Sequence, residues 1–191
     1  MMKKSLMAAL GLAGVLTPQL LSDAREFYPT HPGDTWTYES SIRGQFTNQV
    51  ADSVLSEGSV IFRILSTDAS GREQMLVVRH DGPRLYLGPD LESLALLADF
   101  SLEVGASWPT RMGMQEATLT LAGRHEALEV FGTRFEDVVE VHIAPLTGGG
   151  LTTHYFARGV GLVGTESGRP RSQVRLISAT VGGRTIGAAA P

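Results

Sequence analysis

The sequence predicts an all-β domain: antiparallel strands in a strongly curved sheet or an open or partial barrel, possible as one unit or as two similar halves. Three observations carry this expectation. Apolar and polar residues alternate over short runs. The runs are punctuated by Gly, Asn, Asp and Pro. The chain holds 22 glycines, enough for many turns and bulges.

The first residues read as a targeting segment rather than as part of this fold. Lys3 and Lys4 precede an uncharged apolar stretch from Leu6 to Thr17. Pro18 and the small-x-small triplet Ser22-Asp23-Ala24 follow. That order is a secretory leader, so residues 1–24 are expected to be cleaved off, after Ala24. The stretch is shorter than the roughly 20 residues of a membrane-spanning helix. Retention of the leader as an anchor is the alternative, and no membrane span is expected after cleavage.

Residues 25–183 are expected to form a single β domain, with 184–191 a flexible tail of small residues. Strands are read at Thr35–Ile42, Val60–Leu65, Glu73–Arg79, Arg84–Leu87, Ala117–Ala122, Ala127–Phe131, Asp137–Ala144, Thr152–Ala157 and Val174–Ala179. Asp81-Gly82 between two of these runs signals a hairpin. One segment breaks the period. Leu91, Leu94, Leu97 and Ala98 stand at helical spacing behind Asp90, a candidate N-cap. That segment reads as one or two helical turns, or as an apolar crossover loop. Gly33-Asp34-Thr35-Trp36 and Gly105-Ala106-Ser107-Trp108 share the form G-x-x-W, which marks a possible internal repeat.

Composition excludes several function classes. The chain has no cysteine, so disulfides, thiolate metal sites, cysteine nucleophiles and a lipid-bearing cysteine are all ruled out. The net charge is −4 with 16 basic and 20 acidic residues; loss of Lys3, Lys4 and Asp23 would make it −4 − 2 + 1 = −5. A mildly acidic domain without a basic stripe is not expected to bind nucleic acid. Both lysines lie in the leader, so no lysine Schiff base is available to the domain.

Catalytic motifs are weak throughout. Gly159-Val160-Gly161-Leu162-Val163-Gly164 matches G-x-G-x-x-G, but it runs into a turn rather than a helix, with no carboxylate after Glu166. It reads as a bend where strands pack closely, not as a dinucleotide loop. There is no G-x-S-x-G elbow. One candidate metal set is His142, His154 and Glu140. If the hairpin from Asp137 to Arg158 pairs symmetrically about Gly148, His142 lies opposite His154 with Glu140 on the same face, where zinc or copper would fit. A one-residue slip destroys that set. No catalytic residue and no cofactor are expected.

Two segments resemble a known group. Tyr28-Pro29 with Pro32-Gly33-Asp34-Thr35-Trp36-Thr37-Tyr38 is similar to the opening of a widespread family of uncharacterised bacterial cell-envelope proteins, often lipoproteins. Tyr155-Phe156-Ala157-Arg158-Gly159-Val160-Gly161-Leu162-Val163 resembles that family's closing motif. The resemblance implies a curved antiparallel sheet or partial barrel. It also implies structural roles for Gly33, Trp36, Tyr38, Tyr155, Gly159 and Gly161. The expected function is that of an exported, periplasmic or extracellular module that binds or assembles without catalysis. Its expected partner is an unknown envelope protein or a small apolar ligand held by the concave face. A secreted metal-dependent hydrolase and a surface-layer component are the alternatives.

Overall fold

A computed structural model of the chain describes residues 23–168 and 171–187. A four-residue helix, α1 (Ala24–Phe27), precedes β1 (Thr35–Ser40), β2 (Gly44–Ser56), β3 (Ser59–Asp68), β4 (Glu73–Asp81), β5 (Arg84–Gly88) and β6 (Ala95–Asp99). Then come β7 (Ser107–Met112), β8 (Gln115–Val130), β9 (Thr133–Pro145), β10 (Thr152–Ala157), β11 (Gly161–Gly168), β12 (Arg171–Val181) and β13 (Arg184–Gly187). All pairings are antiparallel. The order is β6-β5-β4-β3-β2-β1-β12-β11-β10-β9-β8-β7, with β13 added to β12. The expected all-β curved sheet is therefore a nearly closed barrel with one unsealed seam, between β6 and β7.

The G-x-x-W repeat marks two six-stranded meanders, β1–β6 and β7–β12. Gly33 and Gly105 both take positive φ, 90° and 93°. Gly33 N–H donates to the Val50 carbonyl (3.0 Å), and Gly105 N–H to the Leu121 carbonyl (2.8 Å). Val50 and Leu121 return a bond to the carbonyls of Asp34 and Ala106, at 2.9 and 3.0 Å. A bulge follows at the same place, Val50/Asp52 in β2 and Leu121/Gly123 in β8. The two long hairpins turn on Glu57-Gly58 and Phe131-Gly132, each with positive φ at both residues, the conformation that matches strand twist in two-residue loops.

The halves join head to tail. In a two-fold barrel the β1–β12 ladder would recur between β7 and β6. Thr37, one residue past Trp36, pairs with Ser178 in that ladder. Pro109 holds the same place after Trp108, and proline has no N–H and belongs at strand edges. Side chains bridge the gap instead. Trp108 Nε1 lies 3.4 Å from the Leu96 carbonyl, and the Arg124 guanidinium donates to the carbonyls of Phe100 and Leu102.

Helix α1 clasps one end of the barrel. Ala24 N–H donates to the Gly82 carbonyl in the β4–β5 turn (2.9 Å), and the Glu26 carbonyl accepts from Gly159 N–H in the β10–β11 turn (2.6 Å). These two turns correspond in the two halves. Phe27 stacks on Phe100 (4.7 Å), whose edge meets Phe156 (5.6 Å). The barrel interior is filled by its own side chains, among them Trp36, Tyr38, Val50, Ile64, Val78, Leu119, Leu121, Val141 and Phe156.

Three local expectations differ from the structure. Residues 91–100 contain no helix; Asp90 Oδ1 accepts from Ser93 N–H (2.8 Å) in a turn, and β6 follows. Residues 184–187 are strand β13 rather than tail, and 188–191 lie outside the described residues. The expected domain start at Arg25 divides α1, because Ala24 is fully buried within it.

The tip of the β8–β9 hairpin folds over the outer face onto β11. A Cβ on Gly164 would come 2.7 Å from Val130 Cγ1 and 2.8 Å from Phe131 Cε2. Gly164→Ala is expected to lower stability by about 1–3 kcal/mol, read as a shifted urea midpoint. Gly168→Ala, whose nearest neighbour is the Leu151 carbonyl at 3.6 Å, should leave the midpoint nearly unchanged.

Candidate functional site

The candidate metal set is not assembled. His142 pairs with Thr153 and His154 with Val141, one residue away from symmetry about Gly148. The last paired residues, Ile143 and Thr152, enclose 144–151, an even-numbered loop. Leu146 N–H donates to the Glu116 carbonyl (2.9 Å), which holds the chain against β8 for longer. With strand period two, the slip puts His154 on the opposite face from His142 and Glu140.

His142 does meet Glu140, and Glu140 also meets His125, which sequence reasoning missed. Glu140 Oε1 accepts from His142 Nε2 at 2.8 Å, and Glu140 Oε2 lies 3.1 Å from His125 Nε2. All three side chains are partly exposed on the outer face of β8 and β9. Gly123 makes this possible: a Cβ there would stand 2.5 Å from His125 Nε2 and 3.3 Å from Glu140 Oε2. The β8 bulge brings Gly123 opposite Glu140, and no sequence period reveals it. Each imidazole engages a different carboxylate oxygen, so the cluster is a hydrogen-bonded bridge. Among the described residues no group of three His, Cys, Asp or Glu is arranged to hold a metal ion.

His154 faces inward, tilted against Phe156 (6.1 Å), with Nδ1 buried and unpartnered. His80 faces inward beneath α1, tilted against Phe62 (5.6 Å), with neither ring nitrogen partnered. Desolvation pushes both imidazoles down to about 4; for His80 the nearby Arg25 charge adds to the effect.

The remaining motif residues form one junction. Trp36 Nε1 donates to the Val160 carbonyl (2.6 Å), and Tyr38 Oη to the Leu162 carbonyl (2.9 Å). Burial raises the Tyr38 phenol well above its ordinary range, so it stays protonated and donates. Gly161 takes φ 110°, and a Cβ there would lie 3.1 Å from Trp36 Nε1. Gly159 (φ 70°) holds α1, and Gly33 starts β1. Tyr155 lies edge-on to Phe131 (6.5 Å) on the outer face, its phenol raised by burial and by the Glu140 and Glu166 carboxylates. The G-x-G-x-x-G run thus bends the chain around Trp36 and Phe131.

Exposed apolar side chains recur at the turns of one barrel end, and others stand elsewhere, at Val54, Leu55 and Val60 on the β2–β3 hairpin and at Val104. The turns β1–β2, β5–β6, β7–β8 and β9–β10 all lie at the barrel end opposite α1. They carry Ile42, Leu91, Met112, Met114, Leu146 and Leu151, with exposures from 38% for Met112 to 103% for Met114. Among the described residues no helix is long and apolar enough to cross a membrane.

The chain's fold is similar to that of solved bacterial proteins. A Bacteroides fragilis protein, named as a candidate exported protein with a YmcC-like fold, matches 84% of this chain and 98% of its own, at 14% identity and TM-score 0.52. A candidate lipoprotein from Parabacteroides distasonis matches the same shares at 13% identity and TM-score 0.44. No family model matches the chain, and no curated protein matches it.

The two buried imidazoles set a pH dependence. Their folded values, about 4, lie below the unfolded value of 6.5. The unfolded chain therefore takes up protons first as pH falls. The neutral-ring stability is complete above about 6.5 and is lost as pH drops toward 4, by up to about 3 kcal/mol per ring. Urea midpoints measured from pH 8 to pH 4 should fall through that window, and His154→Leu should flatten the slope.

Proposed function

We propose that the protein is an exported, non-catalytic binding or assembly module of the bacterial cell envelope, which docks an envelope protein through the barrel end opposite α1. The observation that carries the reading is the set of exposed apolar residues at four turns of that end: Ile42, Leu91, Met112, Met114, Leu146 and Leu151. Exposed turns are ordinarily rich in Gly, Pro, Asn, Asp and Ser, and grouped apolar tips on a soluble domain favour a contact surface. Export is supported by the charged start at Lys3 and Lys4 and the uncharged apolar stretch from Leu6 to Thr17. The protein partner is favoured over a small apolar ligand because the inner face is occupied by the domain's own core.

The test is site-specific photo-crosslinking in intact envelopes. Probes at Met114 and Leu146 should give one discrete protein adduct, and a probe at the exposed Glu136 none. Ile42→Asp should reduce the adduct at least tenfold while the melting temperature stays unchanged, as expected for a buried interface anchor. Equal labelling at all three positions, or an adduct insensitive to Ile42→Asp, would contradict the reading.

A further inference from the structure

The residues expected to be discarded with the leader are part of the folded domain. Asp23 caps α1: its Oδ1 accepts from Arg25 N–H (2.9 Å), and its carbonyl accepts from Glu26 N–H (3.0 Å). Ala24 has no exposed surface. Its N–H donates to the Gly82 carbonyl and its carbonyl accepts from Tyr28 N–H (2.8 Å). Glu26 and Phe27 then engage the other half, through Gly159, an ion pair from Glu26 to Arg158, and the Arg158 guanidinium 4.8 Å from the Phe27 ring centre.

Hydrolysis of the Ala24–Arg25 bond would add water across that peptide, leaving a carboxylate on the leader and an ammonium on Arg25. The domain would lose the Asp23 cap, the buried Ala24 methyl and the bond to Gly82. The new ammonium would take the place of an amide already satisfied by Asp23. The direct hydrogen bond from the start of the chain to the β4–β5 turn would be gone, leaving the stack of Phe27 on Phe100 as the tie to the first half.

We propose that the exported form keeps Asp23 and Ala24, the leader being cut at or before the Ser22–Asp23 bond. The clasp that joins corresponding turns of the two halves thus begins at the new N-terminus. The inference rests on the export reading above, and the experiment separates the two.

The full chain, with its leader, is expressed in a bacterial host and fractionated. Intact mass is measured on the exported product, together with its melting temperature, for wild type and for Ala24→Leu. The expected product begins at or before Asp23. Ala24→Leu should be processed normally, yet melt about 3–8 °C lower, because an extra three carbons are forced into a closed site. A product beginning at Arg25 would overturn the inference. So would an Ala24→Leu chain that is no longer processed, since a bulky residue just before the cut blocks small-residue recognition. An unprocessed cytoplasmic chain would defeat the export reading alone. The Ala24→Leu melting shift would then still decide whether Ala24 belongs to the fold: a drop supports its place in the clasp, and an unchanged value overturns the inference.

Discussion

Closing a long sheet on itself is the constraint on which the structure depends. Twelve consecutive antiparallel strands leave two edges, and open edges expose unpaired N–H and C=O groups. The chain meets the problem with two similar meanders joined head to tail. One junction, β1 with β12, is a full ladder. The other faces Pro109, which has no N–H to offer, and is spanned by Trp108 and Arg124 reaching carbonyls across the gap. Helix α1 supplies a second tie between the halves at the clasped end, through Gly82 and Gly159. A four-residue helix is far too short to be stable alone, so its order depends on these contacts.

The interior follows from the same arrangement. Trp36 and Tyr38 start the first meander, and their polar atoms donate to the carbonyls of Val160 and Leu162 in the second. The segments around Trp36 and around Gly161 are thus two sides of one junction. Large aromatic rings fill the lumen while their N–H and O–H groups find partners. The price of this packing is carried by His80 and His154: both ring nitrogens of His80 and Nδ1 of His154 are buried without partners, and the rings stay neutral.

What was legible in the sequence was legible for physical reasons. Strands with alternating apolar residues, such as Glu73–Arg79, stand out because one face is buried. The repeat of Gly33 and Trp36 at Gly105 and Trp108 was visible, and the matching hydrogen bonds give it structural content. Strand β2 was not visible, since Gln45, Thr47, Asn48, Gln49 and Ser53 make both of its faces polar and pairing with β1 and β3 places it. Strand β8 reads as two runs because the bulge after Leu121 resets its phase. At Leu91–Ala98 the helical spacing misled, because the Asp90 side chain stabilises a turn and the apolar run lies in a buried edge strand. The candidate site depended on register, which one even-numbered loop decides. Glu140 and His142 on one face could be read from period two; the approach of His125 over Gly123 could not.

The most direct test of the two-meander account is amide hydrogen exchange resolved by residue across the two junctions. The account predicts slow exchange for Trp36, Thr37 and Tyr38 in β1 and for Leu176, Ser178 and Ala179 in β12, whose strands share a ladder. It predicts fast exchange along the outer edges of β6 and β7, which share none. Equal protection at both junctions would mean that the barrel is sealed by a second ladder, and would contradict the role given to Pro109.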